Sequence, residues 1–176
     1  MDWFEYVVFR ILGLLRLTPF KRVLRIGVST RIFTDCFKNF DTLEAVRGIF
    51  GEKASDVLQN LKVDLTWFSG YMYVDSSNGH LVVSSRYLKK GKKIDIYLDV
   101  IHELCHVRQF MEGKELFDPQ YSYVERPTEI EAYRYTVQEA RRIGLSDERI
   151  CEYLKTEWMS DRDVKFLAKT VNVTCQ

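Results

Sequence analysis

Residues 102–106 read His-Glu-Leu-Cys-His, and it is here that residue types and spacing together suit a chemical reaction. Positions four apart on an α-helix lie nearly above one another, so His102 and His106 point the same way. Two imidazoles in that arrangement can grip one zinc ion. Glu103, one residue after the first histidine, can reach a metal-bound water without itself being a ligand. Zinc lowers the pKa of such a water to roughly 7, and a carboxylate beside it can take the proton and pass it on. The chain has three histidines, and two of them stand in this run. The expectation is a metallohydrolase, most often a peptidase.

Such a pattern needs a helix beneath it and a wall beside it. Val100, Ile101, Leu104 and Val107 supply apolar positions that bury a helix, and Gly113 supplies a stop. Upstream, residues 62–68 alternate in part, residues 71–74 are short and aromatic, and Asn78-Gly79 is a hairpin signal. Residues 80–88 then read as a second strand. A small antiparallel sheet, with mixed pairing as the variant, therefore precedes the motif helix. Residues 89–93 (Lys-Lys-Gly-Lys-Lys) read as a solvated basic loop, and His80 as a surface histidine beside the turn. Further upstream, a helix capped by Asp41 or Thr42 and another over residues 54–61 complete an α+β class.

Two histidines leave zinc short of one protein ligand. The position six residues past the motif is Glu112, and Gln109 stands where a glycine turn would be needed, which excludes a three-histidine site of the metzincin kind. Downstream, Pro127-Thr128-Glu129-Ile130-Glu131 opens a helix: proline suits the first turn, and Thr128 with Glu131 has capping-box spacing. That helix offers Glu129 and Glu131 and runs to Gly144. Ser146 caps a further helix bearing Ile150, Tyr153, Leu154 and Trp158, and Ser160 or Asp161 starts a last one.

With Glu129 following His106 after 22 intervening residues, and with the run Glu129-Ile130-Glu131-Ala132-Tyr133, the chain resembles the gluzincin metallopeptidases. It is most similar to the small soluble archaeal minigluzincins and the catalytic domains of their integral-membrane relatives, over roughly residues 62–144. The resemblance implies a zincin-like fold, with zinc held by His102, His106 and Glu129 and with Glu103 as general base and acid. It also implies an edge strand, over residues 80–88, that binds an extended peptide by strand addition. Glu131, by contrast, has the local task of capping. Related enzymes often carry an aspartate four residues beyond the glutamate ligand, where this chain has Tyr133; its phenol is a hydrogen-bond partner or faces the oxyanion. Tyr121, Tyr123 and Tyr135 are the other oxyanion candidates.

The remaining features bound the function. At 176 residues, with 46% apolar and 29% charged side chains, the chain can bury a real core. A net charge of +1 gives no basic field for a nucleic-acid partner. Cys36, Cys105, Cys151 and Cys175 fall at no metal or redox spacing, so four free thiols in a reducing, cytoplasmic setting are expected, with Cys175 folding onto the metal as a minor alternative. Residues 3–17 read as an amphipathic helix rather than a membrane span or a signal peptide. Arg10, Arg16, Lys21, Arg22, Arg25 and Arg31 around it also allow peripheral contact with an anionic membrane, although docking on the domain is the default. Residues 1–40 thus read as a helical extension with a soft boundary and residues 41–176 as the catalytic domain. The expected function is a zinc-dependent endopeptidase, active or latent, acting on peptide or protein substrate. Its rivals are a metal-binding sensor module that cleaves nothing or a single partner, and a membrane-surface scaffold.

Overall fold

An apolar run buried on both faces belongs in the middle of a sheet, and Leu81–Ser84 is such a run, buried at all four positions. In the computed structural model, which describes residues 29–67 and 70–175, it is strand β4. The four-stranded sheet has the order β1-β2-β4-β3, with β1 Ser29–Ile32, β2 Lys62–Thr66 and β3 Met72–Val74. β1 runs antiparallel to β2, β2 parallel to β4, and β3 antiparallel to β4, so the sheet is mixed. The expected strand over residues 80–88 is corrected in two respects. It ends at Ser84, whose side chain accepts the Tyr87 N–H and starts a helix. It also lies between β2 and β3, so β3 takes the edge on the motif side.

Among the described residues, helices α1 Glu44–Phe50 and α2 Ala54–Asn60 lie between β1 and β2, and α3 Ser85–Lys90, α4 Lys93–Met111, α5 Pro127–Arg142, α6 Asp147–Leu154 and α7 Asp161–Thr170 follow β4. A single helical turn at Phe33–Cys36 joins β1 to this set. The lysine run is mostly helical, with only Gly91-Lys92 linking α3 to α4. α6 stops at Leu154, so Trp158 lies in the connection to α7 and not on a helix. α4 ends as expected at Gly113, whose φ of 74° lets Lys114 N–H reach the Gln109 carbonyl at 2.9 Å and Gly113 N–H reach Phe110. Gly144 closes α5 in the same way.

The start of α5 differs from expectation. Arg126 occupies its N-cap position without a side-chain bond, and Pro127 fills the first turn. Thr128 Oγ1 donates to the Leu116 carbonyl instead of capping. Glu131 turns away from the helix end towards Arg108, Gln109 and Lys114. The capping box is therefore absent; a charged side chain facing three donors on neighbouring elements gains more than one weak local bond.

α4 is buried around most of its circumference because it separates two apolar clusters. Val100, Ile101, Leu104, Cys105 and Val107 join Phe33, Leu58, Val63, Leu81 and Val83 under the sheet. Leu98 joins Tyr133, Val137, Ile150, Leu154 and Leu167 of the C-terminal helices. Phe33 is fully buried and β1 pairs with β2, so this part of the expected extension packs against the residues that follow it. The amphipathic helix over residues 3–17 lies outside the described residues.

The cysteine expectation is overturned as well. Cys151 on α6 and Cys175 in the tail form a disulfide, with Cα atoms 5.5 Å apart, while Cys36 and Cys105 are free. A separation of 24 residues gives no local signal; the tail reaches α6 because Arg141 binds the Asn172 carbonyl and Thr174 N–H donates to Asp147. Cys175 is thus tied up away from any metal. Disulfides are rare in reducing cytosol, so the argument for a cytoplasmic setting loses its premise. No described helix is long and apolar enough to cross a membrane.

Candidate metal centre

α4 presents His102 and His106 one turn apart, and α5 packs across it so that Glu129, in its own first turn, meets them. The two Nε2 atoms are 3.0 Å apart, and Glu129 Oε2 lies 3.2 Å from that of His102 and 3.5 Å from that of His106. All three residues are buried. Ligands at about 2.0–2.1 Å from a tetrahedral ion stand about 3.3–3.4 Å apart, so these separations fit one small cation. Of the described residues, His102, His106 and Glu129 form the group of this kind that can hold a metal ion. Glu131 is not part of it.

The surroundings of His106 favour a ligand role. Gln109 Nε2 donates to the Thr128 carbonyl at 3.0 Å and to Glu131 Oε2 at 2.8 Å, two partners that can only accept. Its Oε1 therefore faces His106 Nδ1, at 2.7 Å, and takes the proton of that nitrogen. In the neutral ring this leaves the Nε2 lone pair directed at the centre. Glu131 is in turn fixed by Arg108 at 2.5 Å and Lys114 at 3.2 Å.

His102 is held differently. Its Nδ1 is buried with no hydrogen-bond partner, and the Tyr133 ring stands edge-on to the imidazole at 4.5 Å. One turn earlier on α4, Asp99 accepts from Tyr87 at 2.5 Å and Tyr153 at 2.8 Å, and its charge acts on His102. His102 thus has an aromatic ring, Tyr133, against it and a carboxylate, Asp99, three residues before it on α4.

Charges in the cluster are strongly coupled. Burial opposes ionisation of Glu129, but hydrogen bonds from both histidines outweigh it and hold the carboxyl far below its ordinary range. Burial lowers His102, whereas at His106 the Glu129 and Glu103 carboxylates overcome burial and raise the ring to about 9. Burial pushes Glu103 up to about 8, although His106 and the Val74 backbone N–H favour its charged form. Glu103 Oε2 is also buried without a partner, leaving an acceptor beside the ligand group.

Among the tyrosines, Tyr123 and Tyr133 come together beside His102, their hydroxyls 2.9 Å apart. Tyr135 is drawn to Arg108 and the Gly48 carbonyl, and Tyr121 is exposed. His80 is half-buried and bonded through Nδ1 to Asp64 at 3.1 Å, away from the ligand group. Sequence reasoning missed the roles of Gln109 and Asp99. Their signal was available as i+3 and i−3 spacing from His106 and His102; Tyr87 and Tyr153 carried none. No family model, curated protein or solved structure matches the chain.

Proposed function

We propose that the protein is a zinc-dependent metallopeptidase of gluzincin type built on a zincin-like fold. The observation that carries this reading is the convergence of His102, His106 and Glu129 at tetrahedral-edge spacing, with Glu103 adjacent and not coordinating. A His2Glu donor set of mixed nitrogen and oxygen suits zinc, which supplies Lewis acidity and an acidified water at neutral pH. Glu103 accepts the proton of the attacking water and delivers it to the leaving amine. Val74 N–H orients its carboxylate. Tyr123, paired with Tyr133, supplies a hydroxyl to the carbonyl oxygen as charge develops on it. The substrate lies in extended form along β3, the edge strand on this side. One observation favours the sensor alternative: the three ligands and Glu103 are all buried.

The test is Glu103→Gln. The variant is expected to bind zinc as the wild type does and to lose hydrolysis of unfolded protein by at least about a hundredfold, within the range of general-base contributions. Equal cleavage by both would sink the mechanism. Zinc binding by both with cleavage by neither, across a broad substrate panel, would favour the sensor.

A further inference from the structure

Aromatic rings lead outward from the metal centre in an unbroken series. Beyond His102 stands Tyr133 at 4.5 Å, then Tyr123 at 6.4 Å, Trp158 at 6.5 Å and Tyr71 at 5.7 Å. Tyr133 is buried, whereas Trp158 and Tyr71 are 44% and 38% exposed and meet edge to face. Two large aromatics open to water at the outer end of a ring series that begins at a buried polar site are an informative exposure. Tyr71 is anchored: its carbonyl accepts Ser84 N–H at 3.0 Å, and its ring packs on Tyr87 at 4.9 Å.

The backbone beside this pair is equally specific. The Tyr71 carbonyl accepts from Ser84 of β4, Asp75 N–H donates to His80 just before β4, and Tyr73 is paired in register with Val82. In an antiparallel ladder the alternate residues, Met72 and Val74, then turn their backbone groups away from β4. Val74 N–H already meets Glu103. From Val74 back to Tyr71 is three residues, about 10 Å at 3.3 Å per residue. A peptide on β3 whose reacting bond lies by Glu103 therefore brings a residue two or three positions away to Tyr71.

We propose that Tyr71 and Trp158 form a binding subsite for an aromatic or bulky aliphatic side chain of a peptide lying along β3, two or three residues from the bond presented to the metal centre. The inference rests on the peptidase reading for its register, but not for the binding itself. The occupant is apolar because both walls are aromatic rings, which pair with another ring at centroid separations of about 4.5–7 Å. An acidic side chain is disfavoured, since Glu157 and Asp99 act on the Tyr71 hydroxyl and already place negative charge there.

The experiment uses full-length zinc-loaded protein and a set of fluorogenic decapeptides of one Ala/Ser/Lys background carrying Phe, Leu, Ala or Asp at each position in turn. The wild type is expected to prefer Phe or Leu at one position, two or three residues from the cleaved bond, by about tenfold or more in kcat/KM over Ala, with Asp worst. Trp158→Ala is expected to reduce that preference to within about threefold with zinc content unchanged, and Trp158→Phe to restore most of it. A preference that survives Trp158→Ala and Tyr71→Leu would overturn the subsite. Binding is read separately from intrinsic fluorescence in Glu103→Gln protein. A change on adding the Phe peptide, absent with the Ala peptide and lost in Trp158→Phe, supports the subsite even if nothing is cleaved. No such change at millimolar peptide would overturn it, whatever becomes of the peptidase reading.

Discussion

The two histidines share a helix and a spacing, yet their surroundings have little in common. On the His106 side a chain of polar groups runs from the imidazole through Gln109 to Glu131, and from there to Arg108 and Lys114. Each acceptor in it meets a donor, and the ring has one tautomer available. On the His102 side the neighbours are the Tyr133 ring and a carboxylate, Asp99, already taken up by two tyrosine hydroxyls; Nδ1 itself has no partner. One imidazole is oriented by directed hydrogen bonds, the other by packing and a nearby charge. Directed bonds fix both position and protonation, whereas packing fixes position alone.

The largest effect that bears on this comparison is loss of a ligand. Glu129→Ala is expected to lower zinc affinity by about three orders of magnitude, since it removes the one carboxylate that both rings face. Glu131→Ala is expected to lower it about tenfold, through Gln109. This is more than a lost cap would do, because Glu131 orients Gln109 and caps nothing. Competition titrations with a chromophoric chelator measure both, and the reverse ranking would overturn the ligand assignment.

Next come the two supports themselves. Gln109→Leu is expected to weaken zinc binding about 10–100-fold, the usual cost of removing a hydrogen-bonded partner of a metal-ligating histidine. Asp99→Asn keeps its tyrosine neighbours and is expected to stay within about tenfold, because Asp99 bears on His102 through charge more than through a direct bond. Equal losses in the two variants would erase the contrast between the imidazoles. Nitrogen chemical shifts of the zinc-loaded wild type sharpen it further: His106 should show a protonated Nδ1.

The smallest effect on the metal lies at the other end of the α4–α5 pair, where buried Glu139 accepts from Tyr97 and from Arg142 at 2.7 Å. Burial disfavours its charge, but the Arg142 and Tyr97 bonds prevail and hold its carboxyl below the ordinary value. A depressed carboxyl stabilises the fold above its unfolded pKa, about 4.3, and that contribution is lost as pH falls through the folded value. Glu139→Gln is therefore expected to lower stability at pH 7 by about 1–3 kcal/mol, with the gap to wild type closing below about pH 4. Urea melts across pH check this, and zinc affinity should not move. A gap that widened in acid would reverse the sign of the argument.

How much of this was legible follows the range of the interactions. Residues 102–106 carried their own message, because helical periodicity alone stacks His102 on His106. Gly113 and Gly144 marked helix ends because a left-handed backbone there depends on one residue. Local rules misled where a long-range partner competed. Thr128 and Glu131 have capping-box spacing, but Leu116, Arg108, Gln109 and Lys114 claimed their side chains. Residues 80–88 looked like one strand until Ser84 capped a helix, and no periodicity could show that β4 is flanked on both sides. Cys151 and Cys175 looked unrelated until the tail folded back along α6. The sequence by itself determined the chemistry on offer: two imidazoles on one helical face, a glutamate beside them, and two carboxylates on a later helix. The tertiary structure decided which carboxylate faces the histidines, which strand lies at the edge, and which rings come together beside His102. Those choices depend on how α4, α5 and the sheet pack, and packing joins residues whose separation in the chain leaves no local trace.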